Sequence, residues 1–137
     1  MHSTDILRPV FALVGLTFAV LLMIPIARFR AAFAGKVTVA DFRLGESPRV
    51  PPETALPNRN YMNLLELPIL FYVACLTLYM TSTADRMALT IAWAYVALRA
   101  LHSMIHLSYN NVVHRLAVFA TSNVVLVALW VRLILGL

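Results

Sequence analysis

The sequence predicts an all-α integral membrane protein, a bundle of four membrane-spanning helices, and three observations carry that expectation. Hydrophobic residues make up 61% of the 137-residue chain and charged residues only 12%, with a mean hydropathy of +0.82. Soluble domains average about 45–50% apolar and about a quarter charged. The apolar residues gather into four runs, and crossing about 30 Å of hydrocarbon at about 1.5 Å per residue takes about 20 residues. Four spans and their connections therefore use nearly the whole chain as a single transmembrane domain, residues 1–137. A soluble enzyme, a disordered tail and a disulfide scaffold are excluded.

Span one covers about residues 9–34. Its continuous apolar run, Pro9 to Ala27, follows Ser3, Thr4 and Asp5 as candidate helix caps and is closed by Arg28 and Arg30. Ala32-Phe33-Ala34 imitates a signal-peptidase site, but the run exceeds the roughly 7–15 apolar residues of a signal peptide and two arginines intervene. Residues 35–58 hold four of the seven prolines (Pro48, Pro51, Pro52, Pro57), two of the four glycines and six charged residues. This is read as the one long loop, since such a segment cannot be a helix through lipid.

Span two covers about residues 59–80 with Pro68 inside it, which predicts a kink near Leu64. A polar turn, Thr81 to Arg86, leads to span three at 87–107; Ser108-Tyr109-Asn110-Asn111 leads to span four at 114–135. The lone Cys75, inside an apolar run, excludes an internal disulfide and reads as a small buried hydrophobe.

The net charge of +5 could suggest nucleic acid, yet the basic residues flank the spans and report topology instead. The side with the first and third connections collects Arg28, Arg30, Lys36, Arg43, Arg49, Arg59 and Arg115; the other has only Arg8, Arg86 and Arg132. The positive-inside rule then puts the long loop in the cytoplasm and both termini outside it.

Ionisable groups inside spans cost about 2.5–3.5 kcal/mol each at the bilayer centre, so they call for partners. On span two, Arg59, Asn63 and Glu66 fall within about 60° of one helical face; on span three, Tyr95, Arg99, His102, His106 and Tyr109 fall within about 80°. Arg115 opens span four, and with Arg28 and Arg30 these residues are expected at one level of the membrane. Five arginines against one carboxylate describe an anion site.

Plainer readings stand beside this one. Arg28, Arg30 and Arg115 sit where side chains snorkel to headgroups. Glu66 with Arg99 or Arg59 could be a structural ion pair. Tyr79, Trp93 and Trp130 read as interface aromatics. His102 and His106 share a face at a spacing that suits a metal, but the neighbouring arginines would repel a cation, so hydrogen bonding is favoured and no metal is expected.

The segment Arg59-Asn60-Tyr61-Met62-Asn63-Leu64-Leu65-Glu66-Leu67-Pro68 resembles the span-two signature of the membrane-associated proteins in eicosanoid and glutathione metabolism, the MAPEG family. Ala27-Arg28-Phe29-Arg30 resembles the basic end of that family's first span. Arg99-Ala100-Leu101-His102 resembles the Arg-x-x-His of its prostaglandin synthase branch, and Arg115 stands near its arginine at the start of span four. The resemblance covers all four spans and suggests a bacterial-type member.

It implies a left-handed four-helix bundle assembling as a homotrimer in the bacterial inner membrane, with glutathione as cosubstrate between subunits near the cytoplasmic side. Arg59, Asn63, Glu66, Arg99 and His102 would contact the tripeptide, joined by His106, Tyr109, Arg28 and Arg30 from the same polar level. Arg115 would stabilise the thiolate. Guanidinium forks suit two carboxylates, and Glu66 can accept from an ammonium. Two positions depart from the family pattern: His106 stands where tyrosine is common, and Leu67 where several eukaryotic members have tyrosine.

The function expected is a glutathione-dependent transferase or peroxidase acting on lipophilic small molecules within the lipid, with no role for nucleic acid. The alternative is a non-catalytic scaffold or accessory subunit whose cluster binds a lipid headgroup or another anion. An ion pathway through Glu66, His102 and His106 fares worse, because the opposite half of the bundle supplies almost no ionisable groups.

Overall fold

The computed structural model describes residues 2–137. Among these residues there is no strand, only an isolated bridge between Arg43 and Gly45. Five helices follow in order: α1 (Leu7–Phe33), α2 (Pro52–Leu65), α3 (Pro68–Met80), α4 (Arg86–Leu107) and α5 (Val112–Gly136). With α2 and α3 taken as one interrupted rod, four stretches are long and apolar enough to cross a membrane: Ser3–Phe33, Pro52–Met80, Arg86–Leu107 and Val112–Gly136. The all-helical, four-span expectation agrees with this architecture.

Each helix end has a local cause. Ser3–Ile6 forms a separate 3₁₀ turn ahead of α1, and Asp5 accepts from the main-chain N–H of His2 at 2.9 Å. The expected acidic cap therefore serves this turn and not α1 itself. Helix α2 begins at Pro52, earlier than the expected residue 59, because a proline at the first helical position loses no hydrogen bond and has its φ already set. Pro57, one turn further on, denies a donor only to the carbonyl of exposed Glu53.

The kink expected near Leu64 is a full break. Glu66 leaves helical geometry with ψ of −100°, and Pro68 restarts the helix. Asp85 caps α4 by accepting from the N–H of Ala88 at 2.8 Å, and Asn111 caps α5 by accepting from that of His114 at 3.0 Å. Between them, Asn110 takes the left-handed conformation (φ 49°) while its N–H donates to the carbonyl of Ile105 at 2.8 Å, closing α4.

The core lies along the bundle axis. Leu13 and Val20 of α1, Phe71 and Ala74 of α3, Ala88 and Ala92 of α4, and Leu129 and Leu133 of α5 are buried in it. Small residues let these helices approach closely, as packing in lipid requires. Phe71 stacks on Tyr95 with ring centroids 4.8 Å apart. Beyond Tyr95 the inward face of α4 changes character, since Arg99, His102, Ser103 and His106 continue the buried stripe that Ala88 and Ala92 began. One end of the bundle is thus filled by polar groups.

The segment between α1 and α2 is ordered by a single carboxylate. Asp41, 3% exposed, accepts from the Thr38 N–H (2.8 Å) and hydroxyl (2.9 Å), the Ser47 hydroxyl (2.7 Å) and the Arg49 Nε (3.1 Å). The Ser47 hydroxyl first, then the Thr38 donors and Arg49, hold the carboxyl well below the usual carboxylate range against the opposing effect of burial. Beneath it a second small core of Val37, Val50 and Ala55 packs on Ala31.

Candidate functional site

The polar end of the bundle centres on Arg99. Its side chain is fully buried, and Nη2 donates to Asn63 twice, to the carbonyl at 2.8 Å and to Oδ1 at 2.5 Å. The break after Leu65 makes this possible, because the helix stops before a main-chain donor can reach the Asn63 carbonyl. The remaining Arg99 nitrogens, Nε and Nη1, are buried with no protein partner. Its guanidinium carbon lies 5.7 Å from the ring centre of Phe119 in α5.

His102 and His106 follow on the same face, buried, with ring centres 5.8 Å apart and edge to face. Nδ1 of each is unpartnered, and His102 also lies 5.9 Å from Phe119. Across from them the Nη1 of Arg115 donates to Oδ1 of Asn110 at 2.6 Å, while its Nε is buried and unpartnered. Asn63, His102, Arg115 and Phe119 line a crevice of about 220 Å³. Among the described residues no set of three His, Cys, Asp or Glu is grouped to hold a metal.

Of the expected residues only Asn63, His102 and Arg115 line this crevice. Arg59 is exposed and lines a neighbouring cavity of about 330 Å³ together with Glu46 and Asn110. Glu66 is exposed at the helix break, with no Lys or Arg within ion-pair distance among the described residues, so the structural pair with Arg59 or Arg99 does not form. The break is the reason, since it takes the chain at Glu66 off the helical path that set its spacing from Asn63. Arg28 does not converge either: it pairs with Glu46 at 3.6 Å and lies 4.6 Å from the Phe42 ring centre. Arg30 is exposed beside Glu53 and Leu107 around a third cavity. Tyr109 is exposed in the α4–α5 turn, its hydroxyl 3.0 Å from Nδ1 of His114.

Several contributors escape the sequence reading. Ser103 donates to Oδ1 of Asn60 at 3.3 Å, both buried, and ties α4 to α2. The signal was available: Arg99, Ser103 and His106 recur at four and three residues. Phe119, one turn beyond Arg115, was equally placed to share its face. Asn110 gave no periodic signal, because its role depends on a left-handed turn.

The arrangement puts the guanidinium of Arg115 and the imidazole of His102 on an opening, with Arg99 and His106 packed against its lining residues Asn63, Phe119 and His102, and with no carboxylate within ion-pair distance of either arginine among the described residues. Such a site can receive a carboxylate or a thiolate. In comparison with known proteins, the model of the MAPEG family matches residues 6–135. No curated protein and no solved structure matches the chain.

Proposed function

The chain belongs to the MAPEG family of integral membrane proteins, and from that premise we propose that it is a glutathione-dependent transferase or peroxidase for lipophilic electrophiles. One observation carries the reading: Arg59, Arg99 and Arg115 have no carboxylate within 4 Å among the described residues, and buried, unpartnered donors remain on Arg115, which lines the crevice, and on Arg99, held by the lining residue Asn63. Buried charge without a counterion is costly, and an anionic substrate would supply one.

In this reading glutathione enters from the cytoplasmic side, where the long loop and the turn between α4 and α5 lie, and both termini face away. Arg99, held by Asn63, and Arg59 receive its carboxylates, while Glu66 receives its ammonium from the neighbouring rim. A neighbouring copy in a homotrimer closes the site, and lipophilic acceptors arrive through lipid. Arg115 faces the sulfur. A fixed positive charge there lowers a thiol pKa from about 8.5 and raises the nucleophile population at neutral pH. His102 lines the approach as a hydrogen-bonding group, with His106 packed edge to face against it.

The decisive assay combines purified protein with glutathione and a chlorinated nitrobenzene, compared with Arg115→Ala. Conjugation that falls in the variant supports the reading; equal rates reject the role of Arg115. A second reading, a non-catalytic scaffold that binds a lipid headgroup or other anion, is favoured by the way Arg99 already ties α4 to α2 through Asn63. It requires that glutathione leave the melting temperature unchanged.

A further inference from the structure

We propose that residues 36–50 form a rigid foot that rests on the membrane surface and seats an anionic phospholipid in the groove it makes against α1. The foot is an ordered object, since Asp41 gathers Thr38, Ser47 and Arg49 around one buried carboxylate and Val37 and Val50 pack on Ala31. It does not project away from the bundle. A groove of about 360 Å³ runs between it and α1, lined by Ile24, Pro25, Phe29, Val39 and Phe42 with Arg28 beside them. Ile24 lies nine residues before the end of α1 at Phe33, about 13 Å along the axis toward the membrane interior.

The groove joins a surface already suited to lipid. Phe11, Phe18, Leu22, Phe29 and Phe33 are exposed and fall within about 60° of one face of α1, and Phe29 stacks near Phe33 beside the groove. On the foot itself, Val39 is 92% and Leu44 97% exposed. Apolar side chains held out on a rigid loop favour an interfacial position.

Charge selects the occupant. The acids of this region are engaged by its own cations: Asp41 with Arg49, Glu46 with Arg28 and Glu53 with Lys36. Arg43, next in the chain to the groove residue Phe42, is exposed with no carboxylate within 4 Å among the described residues. An apolar groove with an unmatched cation beside it fits an acyl chain under an anionic headgroup, and hydrophobic and electrostatic signals together give stable seating where one alone is marginal.

The test places a bimane label at Val39→Cys or Leu44→Cys in nanodiscs; buried Cys75 leaves the unsubstituted protein as the blank. Thr81→Cys, in the exposed turn at the opposite end, is the water-facing control. Labels at 39 and 44 are expected to emit at shorter wavelength than the control and to be quenched by brominated lipid but not by iodide. Quenching at 39 is expected to be stronger in phosphatidylcholine–phosphatidylglycerol discs than in phosphatidylcholine alone, and to weaken with Arg43→Glu. Iodide quenching without bromolipid quenching overturns the proposal. So does shielding from both with cross-linking to a second copy, which would make the foot a subunit contact, and so does equal quenching in both lipid compositions. Hydrogen exchange of residues 38–45 in the unsubstituted protein, slower in the anionic discs, checks the result without any substitution.

Discussion

Arg99 of α4 uses one nitrogen to hold both the carbonyl and the side-chain oxygen of Asn63, at the point where α2 stops short of α3. The contact closes a broken helix and fixes the most buried cation of the cluster. Arg99→Ala removes both bonds and leaves a part-buried carbonyl without its protein donor, a loss of about 1 kcal/mol or more. Reversible unfolding in mixed micelles would measure it, and Arg99→Lys, which can keep one donor, should fall between the two.

Asn110→Gly tests the positioning of Arg115. Glycine keeps the left-handed turn without strain but removes the Oδ1 that accepts from Arg115. Without that acceptor the guanidinium is no longer held at the crevice, so conjugation should fall roughly tenfold or more, a loss of about 1.4 kcal/mol in transition-state stabilisation, while the melting temperature falls by only a few degrees. A rate equal to that of the unsubstituted protein would show that Arg115 needs no such support.

The loop between α1 and α2 should depend on pH through Asp41. Its carboxyl is held below the ordinary range in the folded chain, so it adds stability above an unfolded pKa of about 3.9 and loses it as pH falls further toward the folded value. Loop protection against proteases should therefore be flat from neutral pH down to about 4 and decline below. Asp41→Asn should show the weakened loop at neutral pH, with the acid-dependent decline gone.

At the opposite end, Asp85 accepts from the N–H of Ala88 and from Arg132 of α5. The Ala88 N–H first, and Arg132 after it, hold its carboxyl below the ordinary range. Asp85→Ala should cost about 0.5–2 kcal/mol as a lost helix cap. Asp85→Asn, which retains an acceptor, should cost less, a difference readable by thermal unfolding in detergent.

The spans were legible because lipid imposes a length and a composition, and Arg99, His102 and His106 were legible because buried polar residues on one helix recur at three and four. What stayed hidden depends on backbone departures from that period. By sequence Pro52 signals a helix breaker, yet at the first helical position it starts α2. Residue counting along an unbroken helix puts Glu66 beside Asn63, but the helix ends at Leu65. Arg28 is expected in the cluster from its depth and from the family resemblance of span one's basic end, and nothing in that span's period announces that Glu46 and Phe42 return from the loop to meet it.

The order of the chain gives the helix break a consequence for biogenesis. Asn63 is synthesised thirty-six residues before Arg99, so the acceptor that will receive the guanidinium has left the ribosome before the charged helix reaches the translocon. An arginine near mid-membrane opposes insertion by about 2.5–3.5 kcal/mol. A nascent α4 that meets the open carbonyl of its predecessor can enter as one half of a pair, and a chain whose second span ran unbroken would offer that charge only the Asn63 side chain.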